Sequence, residues 1–253
     1  MNKVFHKLYK PFESELDNFI ENFDVLGEDF GNQERNSLKL FQLGDETINV
    51  KSFKEPHLIN QIAYRFFRKS KAQRSFEYAN TLKDLNIGTP YPVAYYEFKT
   101  PFLFKKSYYI SEQIDCDYTY RELTTDFNIP NYDAILRAFT RFTFDLHENG
   151  VHFLDHSPGN TLIKKTEKGY DFYLVDLNRM EFKDLDFETR IKNFSKLTIH
   201  KSMVEVMSDE YAKCSGENYE TIFNLMWQET EAFQEKYHRK RRLKKKLKFW
   251  KTY

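Results

Sequence analysis

Two loop segments carry the side chains that could do chemistry. His152 to Asn160 reads HFLDHSPGN, and Tyr173 to Phe182 reads YLVDLNRMEF. Each sets an Asp beside strand-like apolar residues, and a short hairpin separates them. Asp155, Asn160 and Asp176 are the proton- and cation-capable groups of this stretch. Phosphoryl transfer needs such a set: a carboxylate orients the acceptor hydroxyl, and oxygen ligands hold magnesium on the donor's phosphates. Asp, Ser, Pro, Gly and Asn are also ordinary turn residues. The helix end before the first loop and the VD loop after it favour the chemical reading. His147 and His152 read as structural hydrogen-bonding residues near the loop. No Cys or His grouping has zinc-ligand spacing.

The elements that must position these loops follow from periodicity. Phe12, Leu16, Phe19, Ile20 and Phe23 recur at helical spacing and predict an amphipathic helix over Pro11 to Phe23. Ser37–Leu43, a Gly44-Asp45 turn and Thr47–Phe53 predict a hairpin, with Ile48 and Val50 alternating. A long helix is expected from Leu58 to Leu85, stopped near Gly88-Thr89-Pro90. Two aromatic-rich strands are expected near Tyr91–Phe98 and Lys106–Glu112. Ile135, Phe139, Phe142 and Leu146 form one stripe of a helix from Tyr132 to Glu148, with Gly150 closing it. Short strands are expected near Thr161–Lys164 and Phe172–Val175, and everything beyond Phe187 reads as helical.

Composition narrows the classes. The 253 residues are 40% hydrophobic and include 44 aromatics, which excludes a disordered or low-complexity chain. Two distant cysteines, Cys116 and Cys214, form no disulfide framework and point to a reducing compartment. The longest stretch without Asp, Glu, Lys or Arg is the twelve residues Leu85 to Tyr96, too short to span a bilayer. No apolar stretch follows the N-terminal lysines, so no secretory signal is read there. The net charge of +1 conceals an asymmetry: His238 to Tyr253 carries nine Lys or Arg and no acid. Subtracting these nine leaves −8 for residues 1–237.

The two Asp loops resemble those of the protein kinase-like superfamily, and within it the lipopolysaccharide kinases. LHENGVHFLDHSPGNTLI is similar to the catalytic loop and the helix end before it, with the five-residue step from Asp155 to Asn160. VDLN resembles the metal-binding D-F-G segment, with Asp176 in the Asp place. INVKSFK resembles the strand bearing the phosphate-pairing lysine, which puts Lys51 in that role. RSFEYANTL would supply its partner, Glu77. The resemblance implies an α+β, protein kinase-like bilobal fold: a small antiparallel-sheet N-lobe over 1–112, a mostly helical C-lobe over 113–237, and a basic amphipathic tail over 238–253. It implies ATP as donor and Mg as cofactor. Asp155 would orient the hydroxyl, Asn160 and Asp176 would hold the metal, and Glu112, Gln113 and Ile114 would form the adenine-contacting hinge. The acceptor implied is a sugar hydroxyl of the lipopolysaccharide inner core or a lipid A precursor, above all Kdo. An aminoglycoside-type kinase and a membrane-bound pseudokinase scaffold are the rivals.

This sequence departs from the kinase pattern in several places. It has no G-x-G-x-x-G, only Gly27 and Gly31 at another spacing; Asn178 stands for the Gly of D-F-G; and no A-P-E follows. The cluster Arg65, Arg68, Lys69 and Arg74, interleaved with Phe66 and Phe67, is read as binding an acidic acceptor or a lipid head group. In the tail, Leu243, Leu247 and Trp250 line one face among the cations, the pattern of an interfacial helix. Arg239 to Lys251 is therefore expected on an anionic membrane surface, with nucleic acid the second choice. At a third of about 1 kcal/mol per charge, nine charges contribute roughly 3 kcal/mol. The expected location is cytoplasmic, peripheral on the inner face of the inner membrane.

Overall fold

A computed structural model describes residues 1–31 and 36–249, with side chains through Lys245. The chain divides into two compact units, Met1–Asp115 with Tyr173–Arg179, and Cys116–Phe172 with Met180–Tyr253.

The first unit opens with β1 (Asn2–Phe5), a 3-10 turn at Lys7–Phe12 and α1 (Glu13–Glu21). β2 (Glu28–Asp29), β3 (Asn36–Leu43) and β4 (Glu46–Phe53) follow, then α2 (Leu58–Phe66), α3 (Lys71–Asp84), β5 (Pro92–Lys99) and β6 (Phe104–Glu112). The strands form one six-stranded sheet in the order β1-β5-β6-β4-β3-β2, and each registered pair is antiparallel. Period-two alternation gives β4 two faces. Ile48 and Val50 are buried with Leu16, Ile20 and Phe23 of the α1 region. Thr47, Asn49 and Lys51 lie on the opposite face. There Phe53 and Tyr95 pack with Ala72 and Phe76 of α3.

Two expectations for this unit are corrected. The helix expected over Leu58 to Leu85 is two helices, broken at Phe67–Ser70. The amides of Phe67 and Arg68 both donate to the Ala63 carbonyl, and the Ser70 hydroxyl accepts from Gln73 N–H, capping α3. The helix expected from Pro11 is a 3-10 turn through Phe12 with α1 beginning at Glu13, since Pro11 cannot donate an amide hydrogen.

The second unit contains β7 (Tyr118–Thr119), α4 (Tyr120–Leu123), α5 (Tyr132–Glu148), β8 (Val151–Phe153) and β9 (Thr161–Thr166). β10 (Gly169–Leu174), β11 (Met180–Phe182), α6 (Phe187–Lys192), a 3-10 turn at Asn193–Lys196, α7 (Lys201–Ser215) and α8 (Tyr219–Phe249) complete the chain. The last two residues of β10 belong with the first unit. Ile135 and Phe139 of α5, Met203 and Met207 of α7, and Ile222 and Met226 of α8 are buried in one core. The expected stripe on α5 is observed, with Phe142 stacked on Phe172 at 5.3 Å. Gly150 takes a left-handed φ of 67° just past the helix and lets the chain turn directly into β8. α8 carries Arg239 and the exposed Leu243, whereas Trp250 and Lys251 of the expected tail lie outside the described residues. Among the described residues, no helix is long and apolar enough to cross a membrane.

Candidate active site

In the first unit the sheet delivers Lys51 to Asp176. The Lys51 Nζ donates to Asp176 Oδ1 at 2.7 Å, and both side chains are largely shielded from solvent. Asn178 Nδ2 donates to the same oxygen at 2.7 Å. The Asn in place of the Gly of D-F-G is therefore a fixing contact for the carboxylate. Asp176 itself sits at φ 59°, a left-handed conformation uncommon for a non-glycine residue and frequent at functional turns. The approach to this turn is anchored upstream: Leu174 N–H donates to Gly88 O at 2.9 Å, and the buried Thr89 hydroxyl donates to Leu174 O at 2.9 Å.

The expected Lys51–Glu77 pair is corrected by this geometry. Glu77 accepts from Lys69 Nζ at 2.8 Å and from Gln73 Nε2 at 3.0 Å. Lys69, in the turn ahead of α3, reaches the carboxylate along the helix face, while Lys51 is held by Asp176. The rest of the basic cluster also has local contacts. Arg65 donates to Thr100 O at 3.0 Å, Arg74 to Ser70 O at 3.4 Å, and Arg68 lies 5.7 Å from the Tyr64 ring centre.

Of the residues expected to form the hinge, Gln113 lines a cavity of about 550 Å³ together with Glu28, Phe30, Leu40, Gln42 and Thr47. Leu40 and Gln42 pair with Asn49 and Thr47, so they share the face that carries Lys51. Asn49 Nδ2 donates to Gln113 Oε1 at 2.9 Å, and Gln113 Nε2 donates to Ile114 O at 3.2 Å. Glu112 turns the other way and accepts from Tyr9 OH at 2.8 Å. Burial, with the Glu112 and Glu46 carboxylates adding to it, raises the Tyr9 pKa, so the phenol stays protonated. Gly27, a candidate for cradling phosphates, lies against the Phe41 ring, where an added Cβ would stand 2.6 Å away.

In the second unit, β8 delivers the Asp155 loop. Its register with β11 pairs Phe153 with Met180 and His152 with Glu181. Within the loop, His156 N–H donates to Phe153 O at 3.1 Å and Asn160 N–H to Ser157 O at 2.9 Å. Asn160 Nδ2 donates to Asp155 O at 2.8 Å. That bond orients the amide, with Nδ2 turned onto the backbone carbonyl. Asp176 in the first unit and Asn160 in the second each carry a side-chain oxygen, the kind of donor a hard cation takes. Among the described residues no cluster of three or more His, Cys, Asp or Glu could hold a metal. Nucleotide-bound magnesium does not need one, because phosphate oxygens and water complete its shell.

Beneath the loop lies a buried network that the sequence did not disclose. Asn193 Nδ2 donates to Phe153 O at 2.9 Å, and Asn193 Oδ1 lies 3.3 Å from both His156 Nδ1 and His147 Nε2. An amide oxygen only accepts, so both of those ring nitrogens carry the hydrogen. His147 Nδ1 then accepts from Tyr211 OH at 3.0 Å. Lys196 donates to Leu154 O. Arg121 lies over the same loop at Gly159. Gly159 needs no left-handed backbone, but a Cβ there would stand 2.6 Å from Arg121 Nη2. The missing side chain makes room for a guanidinium that joins no ion pair among the described residues. Arg121 and Asn193 had no signal in the sequence. The one local signal was Asn178 itself, two residues from Asp176.

Burial pushes the His147 pKa down to about 3 and that of His156 down to about 4, with Lys196 and His152 lowering His156 further. Both rings are neutral in the native state at pH 7. Their folded values lie below the unfolded one near 6.5, so the stability they carry is complete above about pH 6.5 and falls as acid protonates the unfolded chain. The expected loss is about 1.4 kcal/mol per pH unit for each histidine, down to its folded value. Urea midpoints at about pH 7.5 and about pH 5 test this, and equal midpoints would contradict it.

A sheet presenting a lysine to a loop aspartate, and a helical unit with an Asp-Asn loop on a short strand, are the parts of a protein kinase-like fold. The structure of WaaP in complex with acyl carrier protein has this fold: the TM-score is 0.64 at 15% identity, over 93% of this chain and 99% of that one. A MAP kinase from Leishmania major, LmaMPK10, aligns at a TM-score of 0.47 and 15% identity, over 85% of this chain and 66% of that one. No curated protein sequence matches the chain. The profile of the lipopolysaccharide kinase (Kdo/WaaP) family matches residues 45–218, and the chain belongs to that family. It is an ATP-dependent phosphotransferase that acts on a sugar hydroxyl.

Proposed function

We propose that this kinase phosphorylates a hydroxyl of Kdo in the lipopolysaccharide inner core, working at the cytoplasmic face of the inner membrane. The observation that carries the site assignment is the 2.7 Å pair between Lys51 and Asp176 inside the family-matched segment. The pair brings together the phosphate-neutralising cation and the metal-binding carboxylate.

The roles follow from the chemistry of each group. Lys51 draws charge from the donor's phosphate oxygens. Gln113 and Ile114 border the adenine, and the cavity beside Gln113 gives the base its place. Asp176 and the side-chain oxygen of Asn160 hold magnesium, which when bound neutralises charge on the transferred phosphoryl group. Asp155 orients the acceptor hydroxyl. The hydroxyl oxygen bonds to the γ-phosphorus as the bridging P–O bond breaks, ADP leaves, and the proton passes to Asp155 and then to solvent. Positioning and charge neutralisation supply most of the acceleration.

Kdo carries a carboxylate, and Arg121 is the cation best suited to it, lying on the loop between Asp155 and Asn160 with no ion-pair partner among the described residues. This reading moves acceptor recognition away from Arg65, Lys69 and Arg74, which have local partners. The basic tail from Arg239 adds attraction to anionic lipid.

The test is transfer of labelled phosphate from ATP with magnesium to a Kdo-bearing lipid A precursor, beside an acceptor lacking Kdo and an aminoglycoside. Transfer only to the Kdo-bearing acceptor is expected. Equal transfer to the acceptor without Kdo overturns the sugar assignment, preference for the aminoglycoside overturns the acceptor class, and nucleotide binding without transfer to any acceptor points to a pseudokinase.

A further inference from the structure

Helix α2 is built inside out. Its buried side chain is polar: Gln61 donates to Glu55 Oε1 at 3.1 Å and to Pro56 O at 2.9 Å. Its apolar side chains face water. Leu58, Ile59, Ile62 and Phe66 recur at helical spacing and are all exposed, Ile59 at 83%. Phe67 continues the face at 82% exposure. The Arg65 bond to Thr100 O draws in the β5–β6 turn, which adds the exposed Phe102. A soluble surface scatters such residues singly and seldom gathers them.

The charge around this face has one sign. From Pro56 to Phe76 the sequence contains no Asp or Glu, while Arg65, Arg68, Lys69, Lys71 and Arg74 all fall within it. The flanking acids are neutralised, Glu55 by Lys105 at 3.0 Å and Glu77 by Lys69 at 2.8 Å. Arg65 lies 5.2 Å from the Phe66 ring centre, so a cation sits directly on the apolar face. Side chains exposed by four-fifths project from the surface; they do not line a pocket into which a partner's anchor residue could fit.

We propose that α2 and the Phe102 turn form a docking surface for an anionic lipid bilayer. The apolar residues enter the boundary between head groups and acyl chains, and the arginines meet the lipid phosphates. The surface belongs to the first unit, requires neither nucleotide nor acceptor, and is separate from the attraction of the basic tail.

The experiment compares the full chain with the double variant Ile59→Glu/Phe67→Glu, so that the tail is the same in both. Each is sedimented with vesicles of phosphatidylethanolamine containing about 30% phosphatidylglycerol, and with vesicles of phosphatidylcholine alone. The variant's partition coefficient on the anionic vesicles is expected to fall about tenfold or more, because two large apolar contacts are replaced by charges that the surface repels. Its melting temperature should match wild type, since neither side chain is buried. Absence of wild-type binding to the anionic vesicles, or equal partition of the two proteins, overturns the proposal. Two other results also overturn it. One is a wild-type dimer without lipid that the variant abolishes, which assigns the face to a second copy. The other is loss of binding to acyl carrier protein with vesicle partition unchanged, which assigns it to a protein partner.

Discussion

Replacing Asp155 with Asn is expected to lower kcat by about a thousandfold or more while ATP affinity stays within a few-fold of wild type. The side chain keeps its size and can still accept a hydrogen bond, so the loop should stand. Its backbone carbonyl still receives the Asn160 amide, because that bond at 2.8 Å does not involve the side chain. What disappears is the negative charge proposed to orient the acceptor hydroxyl and receive its proton. The donor phosphates are assigned to Lys51 and the metal to Asp176 and Asn160, none of which the substitution touches. The informative measurement is therefore a pair: single-turnover transfer and nucleotide binding on the same preparation. A variant retaining a tenth of wild-type kcat would remove Asp155 from the chemistry. Loss of both transfer and nucleotide binding would mean that the loop had collapsed.

Asn193→Ala should cost about 3–5 kcal/mol of stability, a large share of the whole for a domain of ordinary stability. The amide serves three partners at once: Phe153 O, His156 Nδ1 and His147 Nε2. Alanine leaves two buried ring N–H groups without partners and the Phe153 carbonyl with the His156 amide but not the Asn193 one, and each unsatisfied group carries its own desolvation penalty. Because Phe153 stands two residues before Asp155, kcat should fall more than acceptor KM rises. Asn193→Asp separates the two halves of the amide. It keeps an acceptor for the histidines, loses the donor to Phe153 and places a carboxylate between two imidazoles. That carboxylate favours their charged forms, so the Asp variant should regain part of its deficit as the pH is lowered, where wild type only loses stability. Chemical denaturation at neutral and mildly acid pH gives both quantities. An Ala variant within about 1 kcal/mol of wild type would show that the network contributes little.

What could be read from the chain was mostly local. The step from Asp155 to Asn160 and the VD loop that follows lie within about two dozen residues, and their spacing is visible without a fold. The β3–β4 hairpin was equally plain, with Gly44-Asp45 between two alternating runs. The partner of Lys51 was another matter. Asp176 lies 125 residues away, and no periodicity joins the two; a lysine on a strand looks the same whichever carboxylate it meets. Glu77 follows from the resemblance of RSFEYANTL to the helix that supplies the lysine's partner, and a nearer lysine, Lys69, holds it. The break between α2 and α3 did have a local sign, since Ser70 followed by Gln73 is an N-cap pattern, but the run of Arg and Lys around it reads as one helix. Asn193 had no sign at all. It lies in a stretch whose only visible property was helical character, and its importance comes from packing against β8.

The contact between Arg121 and Gly159 has a consequence for how this loop can diverge. A guanidinium occupies the volume that any side chain at position 159 would claim, with 2.6 Å between Nη2 and an added Cβ. The two positions are thus not independent letters of the sequence. A residue larger than glycine at 159 displaces the end of the arginine side chain, and loss of the arginine removes what lies against position 159. A substitution at either position therefore changes what stands over this loop, and the two are expected to vary together more often than positions that do not touch.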